Sequence, residues 1–260
     1  MADGRWMALD GVVNMRDLGG LPTHDGRTTR RHRLIRSDNL QDLSVSDVRH
    51  LLEEIGITDV VDLRSHKEVA LTGPGPLRET GLAHHHHSFL RDDDREVTVE
   101  EALAMPWLEK ATGEQRSRES YWREHYLGYL GDRPDSVCGA LEVVAASAGG
   151  TLVHCAAGKD RTGTVVGLAL SAVGVPDEVI VADYAASAER IEAIIDRLRH
   201  VAPYSESLVE RSIDEQTPKP AVMAAILETL ANDHGGAAGW LREHGWDDAQ
   251  LERLRTSLVN

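Results

Sequence analysis

The chain's 260 residues, 41% of them hydrophobic, suffice for one large domain or a domain with an appended helical cap; with one Phe, five Tyr and five Trp, Leu, Val, Ile and Ala must fill the core. The formal net charge of −15 excludes general attraction to nucleic acid or anionic membranes, so neither is expected as a stable partner, while an anionic substrate needs only a local positive field. Two cysteines, Cys138 and Cys155, make no disulfide framework and suit a reducing cytoplasm; residues Met1–Leu9 hold no apolar run with a cleavage site, and no stretch of about 18 apolar residues occurs.

In chain order, Ser44 is expected to cap a helix through Leu51, Leu52 and Ile55 that Gly56 ends. Residues Ile57 to Leu63 read as a buried strand, and a further strand is expected to end near Phe89. Between Arg91 and Arg118 lies a charged stretch of weak periodicity, a candidate mobile loop. Asp135 to Ala148 reads as a helix ended by Gly149-Gly150, and Thr151 to His154 as a second buried strand. Arg161 to Val173 is apolar at helical spacing, with Gly174 behind it. Pro176 suits the first turn of a helix running to about Leu198, and Pro220 to Leu258 reads as two or three helices. Helices alternating with short apolar strands predict an α/β fold: a central, mostly parallel sheet flanked by helices. We expect a single domain over 1–260, extra C-terminal helices, and a candidate helical lid at about 176–211.

The segment His154-Cys155-Ala156-Ala157-Gly158-Lys159-Asp160-Arg161-Thr162-Gly163 lies between a predicted strand and a predicted helix. Such a loop can turn its backbone N–H groups inward as an anion nest, and the helix dipole adds positive potential. Gly158 permits a turn that a Cβ would hinder. Arg161 can fork two phosphate oxygens, and Lys159 adds a second cation. Thiols in such a field ionise readily, and the thiolate of Cys155 would attack phosphorus to give a thiophosphoryl enzyme that water hydrolyses. Thr162 can hydrogen-bond the sulfur and ease its departure. Ala156, Ala157, Gly158, Lys159, Asp160, Arg161 and Thr162 are thus the candidate phosphate binders. A solitary buried Cys is ordinarily a small hydrophobe, and that reading holds for Cys138 in its Ala- and Val-rich helix.

This segment resembles the signature loop of the protein tyrosine phosphatase superfamily: His-Cys, five residues, then Arg. The ending Gly158-Lys159-Asp160-Arg161-Thr162-Gly163 is similar to that of the bacterial tyrosine/serine phosphatase-like family, which includes dual-specificity and phosphoinositide-active enzymes. Asn14-Met15-Arg16-Asp17-Leu18-Gly19-Gly20 resembles its N-terminal motif with Met15 for the usual Phe. Arg36-Ser37 and Asp62-Leu63-Arg64-Ser65 resemble two further landmarks, and Gly239-Trp240-Leu241 its C-terminal element with Trp240 for Tyr. The resemblance implies a phosphatase fold, a phosphorylated protein or small molecule as substrate and no cofactor, and the function expected first is that of a protein-tyrosine or dual-specificity phosphatase.

Two roles remain open for Asp160, flanked by Lys159 and Arg161. It is a structural partner for Arg161 or for the N-terminal motif, or it transfers a proton to the leaving group or from attacking water. The resemblance also implies a separate general acid on a mobile loop; Asp92 is the first candidate, with Asp93 and Asp94 next. Arg16, Asp17, Asp62 and Arg64 are expected to brace the loop. In an extended strand His84–His87 would alternate in direction, so at most two converge and no metal is expected. His154 is expected to orient the loop by hydrogen bonding. Rival functions are a small-molecule phosphatase, a rhodanese-type sulfurtransferase and a catalytically inactive phosphate-binding module; the ring of five residues between Cys155 and Arg161 suits phosphate better than sulfur.

Overall fold

Five strands form one sheet in the computed structural model of the chain, which describes residues 5–90, 118–201, 204–205 and 212–260. They are β1 (Arg16–Asp17), β2 (Leu34–Ser37), β3 (Ile57–Asp62), β4 (Ala83–His86) and β5 (Gly150–His154), in the spatial order β1-β2-β5-β3-β4. Only the short β1 runs antiparallel; the β2–β5, β5–β3 and β3–β4 pairs are parallel. β5 lies at the centre and every residue of it is buried, which is why its sequence shows an apolar run and no alternation.

Successive side chains of a strand face opposite sides, and two apolar layers follow from that. Leu34, Val61 and Val153 pack on one face with the helices of the C-terminal half. Ile35, Val60 and Leu152 pack on the other with Leu40, Leu51 and Leu77. Helices α1 (Val45–Arg49), α2 (His66–Thr72), α3 (Arg118–Asp132), α4 (Pro134–Ala146), α5 (Asp160–Ala172), α6 (Asp177–Ala186) and α7 (Ile191–Arg199) are followed by α8 (Ile213–Gln216), α9 (Pro220–His234), α10 (Ala237–Glu243) and α11 (Asp248–Leu258). Of the last three, α11 lies along α4, α9 along α3 and α6, and α10 against α5. Trp240, Leu241, Trp246 and Leu254 thereby join the main core.

Local signals explain several boundaries. Ser44 caps α1 in a capping box with Asp47, and the helix runs on through a π-helical turn (His50–Ile55) to a left-handed Gly56. The helix expected from Pro176 to Leu198 is instead two helices joined by a 3₁₀ turn, Ser187–Arg190. The cause is tertiary: the Arg16 guanidinium donates to the carbonyl of Asp183 at 2.7 Å, so Ser187 N–H turns to Tyr184 O. Cys138 sits half-buried in α4, where burial, helped by the charge of Asp135, pushes its thiol up to about 11.

Candidate active site

The loop between β5 and α5 leaves the carboxyl end of the central strand, where open parallel sheets bind their ligands. It packs against the chain just after β2. Gly158 has φ +65°, and a Cβ there would lie 2.4 Å from Ser37 O and 2.5 Å from Asp38 N, so only glycine fits.

Three consecutive loop carbonyls are held from outside. Ala156 O accepts from Asn39 N–H at 3.0 Å, Ala157 O from Asn14 Nδ2 at 2.9 Å, and Gly158 O from Arg36 Nη2 at 2.7 Å. In a planar trans peptide the N–H points opposite to the C=O. The N–H groups of Ala157, Gly158 and Lys159 therefore turn to the other side of the loop, and none of them donates to a described residue. Together with the N-terminus of α5 they form an anion nest. Arg16 supports this at one remove: its Nη1 donates to Asn14 Oδ1 at 2.8 Å, which fixes the amide so that Nδ2 faces the loop.

Cys155 opens the loop, 2% exposed. Arg161 closes it, donating to both carboxylate oxygens of Glu68 at 2.6 and 2.9 Å. Glu68 also completes a capping box with Ser65 at the start of α2. Burial opposes the charge of Glu68, but Arg161 outweighs it and holds the carboxyl below the usual range. A guanidinium carries five donors, so the Glu68 fork leaves others for a ligand.

Lys159 is buried, its ammonium 2.6 Å from Asp160 Oδ1 and 4.7 Å from the centre of the Trp122 ring. Tyr126 donates its hydroxyl to the same Asp160 oxygen at 2.6 Å and lies 3.0 Å from the Tyr184 hydroxyl. Burial works against ionised Asp160, but the Lys159 charge and the hydrogen bonds from Lys159 and Tyr126 prevail, keeping its pKa below the ordinary value. An aromatic cluster gathers here: Trp122, His125, Tyr126, Tyr129 and Tyr184 make a run of edge contacts beside the loop.

The remaining sequence-predicted residues divide. Among the described residues the Asp160 carboxylate makes no hydrogen bond or ion pair with Arg161 or with the Asn14–Asp17 motif; its partners are Lys159 and Tyr126. Asp17 accepts from Gly19 and His32 N–H and does not reach the loop. Asp62 and Arg64 pair with each other, and Arg64 also holds Thr72 and Gly73 at the end of α2. His154 is buried 3.7 Å from the Asp62 carboxylate, and burial pushes it down to about 4, so it is neutral at pH 7. Thr162 Oγ1 is buried and makes no hydrogen bond with Cys155 or any other described group. His84, His85 and His86 direct Nε2 to Leu77 O, Asp59 and Arg64 O respectively, tying β4 down. Asp92, Asp93 and Asp94 lie outside the described residues.

Several site residues escaped sequence reasoning: Glu68, Asn14 as the amide that holds the loop, Trp122, Tyr126 and Asp183. Glu68 carries a local signal, the Ser65-x-x-Glu68 pattern, which points to a helix cap, and Asn14 stands in the N-terminal motif without its contact being readable there.

Residues 7–260 match the model of the tyrosine phosphatase family. The chain is 32% identical to the triple specificity protein phosphatase PtpB of Mycobacterium tuberculosis, covering 96% of this chain and 98% of that protein. It is 33% identical to a tyrosine-protein phosphatase of Nostoc commune over 52% of this chain and 48% of the relative. The solved Siw14 catalytic core covers 96% of this chain and 95% of its own at 14% identity, with a TM-score of 0.34, too loose an overlap to argue from. With the nested loop and the family match in agreement, the chain belongs to the tyrosine phosphatase family.

Proposed function

We propose that Cys155 is the nucleophile of this enzyme, a cysteine-dependent phosphoric monoester hydrolase, and that its preferred substrates are phosphotyrosine-bearing proteins. Sγ of Cys155 attacks phosphorus, and the P–O bond to the leaving group breaks as that oxygen takes a proton. Water then attacks the thiophosphoryl enzyme, the P–S bond breaks, and inorganic phosphate leaves. What carries this is the loop backbone, whose outward carbonyls leave three N–H groups to cradle the phosphoryl oxygens beside Cys155 and Arg161. Asp160, held ionised, is suited to take the proton of the attacking water; donation to the leaving group falls to the Asp92–Asp94 segment.

The aromatic cluster beside the loop supports an aryl phosphate, and Trp122 is the half-buried wall nearest Lys159. Lys159, committed to Asp160 and Trp122, is poorly placed to take a second phosphate, which ranks phosphoinositides and small multiply charged esters below phosphotyrosine. Free thiols at Cys138 and Cys155 suit the cytoplasm of a bacterium. Helix α7 packs Ile191, Ile194, Ile195 and Leu198 with Ala156 and Ala157, and Arg197 bonds Asp38, Asn39 and Asp42; we read the α6–α7 region as a lid. Protection of α7 from limited proteolysis by a phosphate analogue checks that role.

The functional test compares kcat/KM for phosphotyrosine peptides, phosphoinositides, nucleotides and sugar phosphates in wild type, Cys155→Ser and Arg161→Ala, with EDTA present throughout. Full activity in EDTA, abolished by either substitution and highest on phosphotyrosine peptides, is expected. Loss of activity on chelation, or turnover of thiosulfate in its place, overturns the mechanism.

A further inference from the structure

An anion site needs surplus positive charge, and the loop's own cations do not supply it: Glu68 matches Arg161 and Asp160 matches Lys159. The surplus lies behind the loop. Arg5, Arg16 and Arg36 converge on the carboxylate of Asp183, at 2.9, 3.0 and 2.7 Å, and among the described residues no other carboxylate pairs with them. Three guanidiniums against one carboxylate leave a charge of +2, and Arg16, Arg36 and Asp183 are almost completely buried. Burial opposes the charge of Asp183, but Arg16 and Arg36 outweigh it and hold the carboxyl far below the usual range. Burial and repulsion from Arg36 push Arg16 down to about 10, the mark of cations crowded together yet still protonated at neutral pH.

Arg36 joins this cluster to the loop: Nη1 donates to Asp183 and Nη2 to Gly158 O, both at 2.7 Å. A buried charge is little screened by salt or by the acidic surface.

We propose that Arg36 is a positioning residue whose charge, in excess over Asp183, supplies the positive field in which the Cys155 loop holds an anion. This rests on the loop being an anion site and not on which ester is cleaved.

The test alkylates Cys155 with anionic iodoacetate and with neutral iodoacetamide, followed at that residue by peptide mass spectrometry. The ratio of the two rates reads the potential at the sulfur and cancels its accessibility and ionisation, with no turnover required. Arg36→Gln should lower the ratio about tenfold, the effect of one weakly screened charge nearby. Arg36→Lys keeps the charge and should restore the ratio, and Asp183→Asn should raise it. Arg36→Gln leaves Asp183 paired with Arg5 and Arg16 and lessens the buried surplus, so it should fold, which a thermal melt verifies. An unchanged ratio in Arg36→Gln, or a fall of the same size in Arg36→Lys, overturns the proposal. If Asp183→Asn does not fold, the two Arg36 variants decide alone. The expected ratios without phosphatase turnover would refute the proposed function and leave this inference standing; turnover with unchanged ratios does the reverse.

Discussion

Asp160 sets one oxygen against two donors, Lys159 Nζ and the Tyr126 hydroxyl, each at 2.6 Å. A carboxyl held below its ordinary pKa in this way accepts protons at neutral pH and does not donate them. Asp160→Asn should therefore spare the first step and slow hydrolysis of the thiophosphoryl enzyme by about 10²-fold, within the usual range for a general base. With para-nitrophenyl phosphate, rapid-mixing kinetics should show a burst of nitrophenolate equal to the enzyme present, then a slow steady state. A linear trace with reduced rate would assign Asp160 to the first step. The same neighbours set the role open to Lys159. As a free cation it suits a polyphosphorylated ligand, but it folds onto an aromatic face and a carboxylate. Its charge is spent on Asp160, a pairing that adjacency alone made visible; the Trp122 face was not.

The strand–loop–helix element is shaped from outside as much as from within. Its own residues provide the turn at Gly158 and the helix dipole; Asn14, Arg36 and Asn39 turn its carbonyls outward. The loop therefore has little tolerance at Gly158. In Gly158→Ala a left-handed backbone costs about 1–2 kcal/mol, and the new Cβ strikes Ser37 O and Asp38 N, backbone atoms that cannot swing aside. A drop in kcat/KM of at least about 10²-fold is expected, with a lower melting temperature. Gly56→Ala is the control: φ there is +75°, but nothing lies within 4 Å. It should cost about 1 kcal/mol of stability and leave kcat/KM unchanged, since strain without a clash stays local. Equal kinetic loss in both variants would remove the loop-specific explanation.

Over the whole molecule, buried titratable groups set the acid limit. The fold keeps His154 neutral down to about pH 4, whereas an unfolded chain protonates it near 6.5. Between those values the unfolded state binds more protons, so stability rises with pH across that window and falls as pH is lowered through it. The interval corresponds to about 3 kcal/mol. Asp183 acts lower: its depressed folded pKa gives stability that is present above the unfolded value of 3.8 and lost as pH falls below it. Urea midpoints for wild type should thus decline from pH 6.5 to 4 and more steeply beneath. His154→Gln should flatten the upper slope and keep the lower one; an unaltered upper slope would place the titration elsewhere. At this scale the division between sequence and structure is clear. The alternation of helix and strand, the loop between β5 and α5, and the spacing of Cys155 and Arg161 at its two ends were legible in the chain, because periodicity, capping and turn chemistry act over a few neighbouring residues. The partners of the charges were not. Arg161 and Glu68 are 93 positions apart, Arg36 and Asp183 147, and Asn14 and Ala157 143. A buried charge requires a partner, and nothing local says which one, since that choice is made by whichever segments the core brings within hydrogen-bond reach. The sequence by itself thus determined the strand–loop–helix that carries Cys155 and Arg161 and the family it resembles; only the tertiary structure decided which side chains aim that loop and which charges lie behind it.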